Sequence, residues 1–252
     1  MLTKALLFCF FFLLLAAVDG RRRTKVRQHK QNNEFDVLIF TQRWPQTVCF
    51  LWKENSASHT CSLPKDDEWT IHGIWPSQYH KQGPQFCNSS LPFNANALKP
   101  LEDQLVEKWI DVEYGQAPYS FWRHEWMKHG TCAAVLETLN TEYKYFKEGL
   151  SMLDTYDMTH ILAQANINPG NQYTVGNIIQ GIERILGKRA EVICAKNDKS
   201  NEHYIFEIRI CFNKSLQLID CDGISEFPTN CKRAENIIYP GTVPQHYHVL
   251  QV

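Results

Sequence analysis

The 252-residue sequence contains no internal repeat and no Pro/Gly/Ser-rich or low-complexity linker. These absences argue against a solenoid and against separate domains, so we expect one domain. No C-x-x-C pair occurs, which leaves a thioredoxin-like redox site or a zinc ribbon with little support. Beyond the N-terminus, no apolar run approaches the ~20 residues that cross a bilayer. With 44% hydrophobic and 21% charged residues, the chain is neither disordered nor collagen-like.

The first 20 residues have the organisation of a signal peptide. Lys4 precedes an apolar run from Ala5 to Val18, and small or polar residues at its end form a candidate cleavage site. We expect residues 1–20 to direct export, with no stable insertion in a membrane. The destination is then the extracellular medium or the lumen of a lysosome or endosome. An uncleaved signal anchor is the alternative, since basic residues follow directly.

Positive charge is concentrated just after this segment. Residues 21–30 contain six Lys or Arg and no acid, whereas residues 31–252 contain 19 Lys or Arg against 26 Asp or Glu. We expect residues 21–33 to form a basic flexible arm, able to hold RNA or a membrane surface through charge, ahead of a folded domain at 34–252. Nine of the ten His lie in that acidic domain, and protonation would bring its formal charge to about +2. This distribution favours work in an acidic compartment.

Cysteine and Asn-x-Ser/Thr patterns agree with export. Cys9 lies in the signal segment, and an even number of cysteines remains, which predicts up to four disulfides whose pairing the count leaves open. The sequons at Asn88 and Asn213 predict N-glycosylation. The remaining cysteines are Cys49, Cys61, Cys87, Cys132, Cys194, Cys211, Cys221 and Cys231.

Hydrophobic periodicity predicts an α+β fold. Helices are predicted over 99–110, over 121–129 with Ser120 as cap and Gly130 as end, and around 143–153 and 178–186. Strands are predicted over 35–44, 69–75 and 204–212, with 216–221 as a hairpin partner and 53–68 as a loop. Because the helices cluster centrally and the strands lie at both ends, we expect a central, mainly antiparallel sheet flanked by helices and stabilised by disulfides.

Residues 121–132, FWRHEWMKHGTC, concentrate ionisable groups. On a helix Glu125 lies one turn from both Lys128 and His129, so these groups form one polar cluster. A solvated charged face is the alternative, which the neighbouring Trp122 and Trp126 weaken. The segment contains His124, Glu125, Lys128 and His129.

A zinc site requires a different spacing. Metalloproteases have H-E-x-x-H, whereas this chain has H-E-x-x-x-H. His124 and His129 are then about 140° apart around an ideal helix, and Lys128 between them repels a metal ion. We therefore expect no metal or other cofactor. A zinc hydrolase remains an alternative that loss of activity with chelator would reveal.

Two imidazoles, an ammonium and a carboxylate suit cleavage of RNA through its own 2′-OH. Such a reaction needs proton removal, proton donation and stabilisation of anionic oxygen. A second histidine appears in residues 69–76, WTIHGIWP, where strand periodicity turns His72 to the face of Thr70 and Ile74. That pattern alone indicates a sheet-face histidine. Gly73 permits close approach of a ligand, however, and Trp75 offers a surface on which a base can stack.

These two segments closely resemble the two catalytic segments of the ribonuclease T2 family of acid ribonucleases. The motif Q-x-W-P-x-T-x-C at 42–49 resembles that family's N-terminal strand, and the order and spacing fit over residues 35–231. The resemblance implies an α+β fold and an endoribonuclease that leaves 2′,3′-cyclic phosphate ends without metal. Single-stranded RNA is the expected substrate and DNA is not, since the substrate supplies the nucleophile. We expect a monomer.

Site residues follow from position in the family's motifs. His72 matches the general acid and His129 the general base. Glu125 and Lys128 match the residues that polarise the phosphate and stabilise the pentacoordinate state. The resemblance also implies four disulfides, namely Cys49–Cys61, Cys87–Cys132, Cys194–Cys231 and Cys211–Cys221.

Substrate-binding positions match less completely. His124 matches an auxiliary phosphate-binding histidine and Trp75 a base-stacking residue. Ser77 stands where many relatives have an acid that contacts a base edge, so base preference does not carry over; Tyr79 or His80 are candidate substitutes. A secreted binding or signalling protein that keeps the scaffold, and whose role does not require cleavage, is the alternative from another class.

Overall fold

Seven strands build one sheet in a computed structural model that describes residues 34–56 and 58–245. The predicted signal peptide at 1–20 and basic arm at 21–33 lie outside the described residues. In the described part of the chain, no helix has the length and apolar character needed to span a membrane. The strands are β1 Val37–Arg43, β2 Thr70–Ser77, β3 Asn171–Thr174, β4 Glu191–Lys196, β5 His203–Phe212, β6 Leu218–Ile219 and β7 Asn236–Tyr239.

Strand β5 lies at the centre of the sheet. It pairs with β1, β4 and β6 in antiparallel fashion and with β7 in parallel, and β2 adds to the outer side of β1. Strand β3 pairs antiparallel with β7. The mainly antiparallel sheet and the α+β class are therefore as the sequence predicts. This order brings the two segments β2 and β5, which are far apart in the chain, to either side of β1.

Helices pack against the sheet. They are α1 Pro45–Asn55, α2 Glu102–Lys108, α3 Ser120–Glu125, α4 Thr131–Ala133, α5 Glu142–Tyr156, α6 Met158–Gln164 and α7 Val175–Leu186. The segments Ala95–Leu101 and Glu137–Leu139 are short 3₁₀ helices, and a π-helical turn, Trp126–Gly130, joins α3 to α4. Thr141, Asp157 and Thr174 cap the starts of α5, α6 and α7 with side-chain oxygens, and Gly187 ends α7 in the left-handed region.

The main core lies between the sheet and the helices. Every residue of β1 is buried, as expected for a strand covered on both faces. Large aromatic side chains fill this core, and their ring nitrogens are paired: the indole of Trp44 donates to a backbone carbonyl and that of Trp69 to the Tyr239 hydroxyl. The other fully buried tryptophans are Trp109 and Trp126.

Four disulfides are present in the described residues, and they are the pairs that the resemblance implies. Cys49–Cys61 joins α1 to the following loop, and Cys87–Cys132 joins the segment after β2 to α4. Cys194–Cys231 and Cys211–Cys221 fasten β4 and β5 to the C-terminal loops.

Several elements differ from the sequence prediction. Pro45 begins helix α1 rather than only ending a strand, because proline suits the first helical turn. Pro76 does not stop β2, which runs to Ser77 as an edge strand, where a missing N–H is tolerated. Ser120 makes no side-chain cap, and Gly130 lies inside a continuing helical path at φ −59 instead of ending it. Strands β3, β4 and β7 and helix α6 are short and were not predicted by periodicity.

Candidate active site

His72 occupies a β-bulge in strand β2. The register between β1 and β2 passes from Thr41 opposite Gly73 to Gln42 opposite Ile71, so His72 has no partner on β1. A bulge re-aims its side chain and breaks the alternation of faces. The expectation that His72 shares a face with Ile74 is therefore wrong. Ile74 is fully buried in the core, whereas the His72 ring is 24% exposed and meets the Trp75 ring edge-on at 4.8 Å between centroids.

The backbone around the bulge is held by aromatic side chains from the helical layer. Trp109 donates from its indole nitrogen to the carbonyl of His72 at 2.9 Å. The Tyr145 hydroxyl donates to the Ile74 carbonyl at 2.9 Å and accepts from the Ile74 amide at 3.2 Å. Because β2 is an edge strand, these bonds satisfy groups that no further strand can reach.

A π-helical turn presents the second motif. Trp126–Gly130 contains Lys128 and His129, while His124 lies one turn earlier on α3. In a π-helical turn the backbone bonds run from i to i+5, so the 140° separation expected between the two histidines on a regular helix does not apply. A methyl group at Gly130 would lie 2.3 Å from the Trp126 ring, so glycine is required for this packing.

One cleft of about 670 Å³ collects the predicted ionisable residues. Trp75, Ser77 and His80 also line it, but Tyr79 does not. A second cavity of about 480 Å³ shares His72 and two residues of α3 with the cleft. The ionisable residues from the two motifs that line the cleft are His72, His124, Glu125, Lys128 and His129.

Glu125 is buried, with 1% of its side chain exposed. Its Oε2 accepts a hydrogen bond of 2.9 Å from the Trp75 indole, and its Oε1 lies 3.8 Å from Nε2 of His72. Burial raises the pKa of this carboxyl, and the neighbouring His72, Trp75, Arg43 and Lys128 only partly oppose the rise. Glu125 is thus an acid that takes up a proton more readily than an exposed glutamate.

Gly73 makes room for this carboxylate. A methyl group there would lie 2.1 Å from Oε2 of Glu125 and 2.4 Å from the Trp75 indole nitrogen. The close approach that the sequence assigns to a ligand is therefore made by the protein's own Glu125. The hydrogen bond between Glu125 and Trp75 depends on glycine at this position.

His129 is more buried than His72, with 8% of the residue exposed. Its Nδ1 has no hydrogen-bond partner within residues 34–56 and 58–245, and its ring lies 5.2 Å from that of Trp75. Burial, and then the charges of Lys128, His72 and His124, holds the pKa of His129 well below its usual value. Burial and Lys128 lower the pKa of His124 in the same way. Neutral imidazole is therefore favoured on this side of the cleft.

The opposite nitrogen of His72 meets a residue that the motifs did not indicate. Nδ1 of His72 lies 2.6 Å from Oε1 of Glu207 on β5. Arg209 donates to the other oxygen of Glu207 and also to Glu191 on β4. The available signal was two opposite charges, two residues apart and flanked by apolar residues, in strand β5. Nothing in that pattern showed that β5 lies near β2.

Metal-binding potential follows from the same side chains. Because of the π-helical turn, the 140° separation on a regular helix no longer argues against His124 and His129 binding one metal ion. Nevertheless, the described ranges contain no group of three or more His, Cys, Asp or Glu arranged to hold a metal ion.

The predicted glycosylation positions both lie in turns. Oδ1 of Asn88 accepts from the backbone of Ser90, and Oδ1 of Asn213 accepts from the backbone of Ser215. Both asparagines are half-buried.

Comparisons with known proteins identify one family of similar sequences. The sequence profile described as the Ribonuclease T2 family matches residues 35–221. Ribonuclease Oy of Magallana gigas is 35% identical over 213 residues, which cover 82% of this chain and 97% of that protein. Ribonuclease T2 of Homo sapiens is 34% identical over 225 residues, covering 88% of this chain and 81% of that protein.

The fold also matches solved structures. A mutant of RNase MC1 in complex with 5′-UMP aligns with a TM-score of 0.70 at 29% identity, covering 82% of this chain and 99% of that one. RNase MC1 comes from the seeds of bitter gourd.

Proposed function

The chain belongs to the ribonuclease T2 family and is an endoribonuclease of that type, and from this premise we propose that it cleaves single-stranded RNA by metal-independent transphosphorylation. The products carry 2′,3′-cyclic phosphate ends. The observation that supports this proposal is one cleft containing two imidazoles in opposite environments, with an ammonium group beside them.

The two environments divide the roles of acid and base. His129 is buried, its Nδ1 is unpaired among the described residues, and its pKa is lowered, so its neutral form can accept a proton in acidic medium. The Nδ1 side of His72 lies 2.6 Å from the Glu207 carboxylate and its Nε2 side lies 3.8 Å from Glu125, so one ring nitrogen is held while the other can donate a proton. We therefore assign His129 as the general base and His72 as the general acid.

The reaction then runs through one pentacoordinate phosphorus. His129 takes the proton of the 2′-OH as that oxygen forms a bond to phosphorus. The bond from phosphorus to the 5′-oxygen breaks, and His72 gives its proton to that oxygen. Each proton transfer supplies roughly 10²–10⁴-fold.

Three other groups act on the phosphoryl oxygens. The Lys128 ammonium stabilises developing negative charge, a contribution of about 3 kcal/mol for one well-placed donor. Glu125, whose pKa burial raises, donates a hydrogen bond to a phosphoryl oxygen when protonated. His124 lines the same cleft and binds the phosphate as an auxiliary group.

Substrate selection follows from the chemistry. Deoxyribose lacks the nucleophile, so DNA is not a substrate. The nucleotide seen in a related RNase MC1 complex, 5′-UMP, supports binding of a mononucleotide unit in this fold. The chain works as a monomer in this proposal, with the cleft complete in one copy.

Location follows from the sequence signals and the disulfides. Four disulfides suit an oxidising compartment. We assign residues 1–20 to a signal peptide, 21–33 to a basic arm and 34–252 to the catalytic domain. The protein is then exported to the extracellular medium or to a lysosomal or endosomal lumen, with glycans at Asn88 and Asn213.

The test is cleavage of a defined oligoribonucleotide and its deoxy analogue at about pH 5 and about pH 7.5, with chelator, followed by mass analysis. Cyclic phosphate ends on RNA alone are expected, and His72→Ala and His129→Ala should each abolish them. His160→Ala is the matched control, because His160 is exposed on α6 and lies outside the cleft. Chelator-sensitive cutting or equal attack on DNA would overturn the proposal.

A further inference from the structure

Glu207 is a charged residue buried in the centre of the sheet. It lies on β5 with 2% of its surface exposed. Its two oxygens have different partners: Oε1 lies 2.6 Å from Nδ1 of His72, and Oε2 accepts from Nε and Nη2 of Arg209 at 3.1 and 2.7 Å. Burying a carboxylate is costly unless it is paired, and here each oxygen has a charged or chargeable partner.

Arg209 is itself held in place. Its Nη1 donates to Glu191 at 3.0 Å, and Glu191 faces Arg209 directly in the β4–β5 register. Its guanidinium also packs over the Trp75 ring at 5.3 Å. With contacts on both sides, the planar fork of Arg209 fixes the orientation of the Glu207 carboxylate.

Glu207 remains an anion in acidic medium. Burial alone would raise its pKa, but the charge and hydrogen bond of His72, followed by those of Arg209, bring it down to about 2. The group that faces Nδ1 of His72 is therefore a carboxylate across the pH range in which we expect the enzyme to work.

We propose that Glu207 is a positioning residue for the general acid: its carboxylate, oriented by Arg209, holds the Nδ1 proton of His72 so that Nε2 directs the other proton at the leaving oxygen. This inference rests on the proposed function. It explains why His72 occupies a bulge, since the ring must reach across β1 to β5 on one side and the cleft on the other. The titratable groups that interact electrostatically with His72 include Glu207, Glu125, Glu113, His124 and His129.

A leaving-group comparison separates positioning of the acid from a general structural effect. In a dinucleotide the leaving group is the 5′-oxygen of a nucleoside, which needs protonation to depart. In a nucleoside 3′-(4-nitrophenyl phosphate) the leaving group is 4-nitrophenolate, which departs without protonation. In Glu207→Gln we expect kcat on the dinucleotide to fall about 100-fold while kcat on the aryl ester falls less than about 5-fold. KM should stay within about 2-fold on both.

Rescue by the conservative variant provides a second readout. Glu207→Asp should restore part of the rate, because it keeps the charge and shortens the side chain. Glu142→Gln is the matched control: Glu142, the first residue of α5, is another buried carboxylate, but its Oε1 accepts from the backbone of Asn94 and it does not line the cleft.

The outcomes distinguish this inference from the proposed function. Suppose that His72→Ala loses activity on the dinucleotide selectively. If Glu207→Gln then behaves as wild type, or loses activity on both substrates equally, the role of Glu207 is overturned and the proposed function stands. If wild-type protein fails to cleave the dinucleotide, the proposed function fails first. Should Glu207→Gln not fold, NMR of the wild type decides: a protected Nδ1 proton on His72 at about pH 5 is expected, and a ring protonated only at Nε2 contradicts the proposal.

Discussion

The indole nitrogen of Trp75 donates a hydrogen bond of 2.9 Å to Oε2 of Glu125. The same tryptophan ring lies 5.2 Å from the His129 ring and beneath the Arg209 guanidinium at 5.3 Å. Its polar atom and much of its surface are therefore engaged with the protein's own groups. These contacts favour a role for Trp75 in holding the catalytic carboxylate, in addition to the base stacking that the family resemblance implies.

Trp75→Phe tests that role, because phenylalanine keeps an aromatic surface and removes the donor. Hydrogen bonds to charged groups contribute about 1.5–3 kcal/mol, so we expect kcat to fall about 10- to 100-fold. KM should change less than about 3-fold, measured by steady-state kinetics on a dinucleotide. Trp75→Ala, which removes the surface too, should also raise KM. A rise in KM with unchanged kcat in Trp75→Phe would show that stacking is its main role.

Gly73→Ala should disrupt the same carboxylate. The added methyl would lie 2.1 Å from Oε2 of Glu125, so the carboxylate or strand β2 must shift. We expect kcat to fall at least about 100-fold and stability to fall by about 1–3 kcal/mol, measured by denaturant unfolding.

Gly176→Ala is the matched control for that substitution. Gly176 lies in α7, and the nearest atom to an added methyl is 3.9 Å away. Alanine in a helix should leave activity unchanged and stabilise by about 0.5–1 kcal/mol. Equal activity in both variants would contradict the packing described for Gly73.

Sequence patterns identified the side chains of the cleft but not the backbone that places them. His72, Glu125, Lys128 and His129 all line one cleft, and the two motifs contained all four. Periodicity assumes unbroken strands and regular helices, however. His72 lies in a bulge, and Lys128 and His129 lie in a π-helical turn. These side chains therefore do not point in the directions that the periods of a regular strand and a regular helix predict.

Glu207 illustrates a second limit. The strand that contains it is predicted from alternation, but the pairing of β5 with β1 joins segments that are distant in the chain. No local pattern reports such a pairing, and so the contact of Glu207 with His72 was not predicted. Short strands such as β7 and the 3₁₀ segment 95–101 were missed for a related reason, since their conformation depends on tertiary packing more than on propensity.

Glu191→Gln should change how stability depends on pH. Burial, which outweighs the bond to Arg209, raises the pKa of Glu191 to about 7. The folded state then binds more protons than the unfolded state between about pH 4.5 and pH 7, so this group stabilises at acidic pH and the benefit is lost as pH rises through that window. Glutamine cannot ionise, so the stability of the Glu191→Gln variant does not fall with rising pH through this group.

The measurement is urea unfolding of wild type and Glu191→Gln at several pH values. The free energy of unfolding of the variant, relative to wild type, should rise by about 2–3 kcal/mol between about pH 4.5 and pH 7, and then level off. Because each value is a difference from wild type, the titration of other groups largely cancels. A difference that is flat across this window would contradict the raised pKa.

Lys128→Met tests the origin of the low pKa of His129. The base acts in its neutral form, so the acid limb of kcat/KM marks its deprotonation and should lie well below the ordinary histidine value of 6.5. Burial is the main cause, and the Lys128 charge is next. Removing that charge should move the acid limb to higher pH, still below 6.5, and lower the rate by about 100-fold or more through loss of the phosphate stabiliser.

Lys128→Arg keeps the charge and should leave the limb in place while slowing the reaction. An acid limb that stays fixed in Lys128→Met, or moves to lower pH, would show that Lys128 does not influence the base.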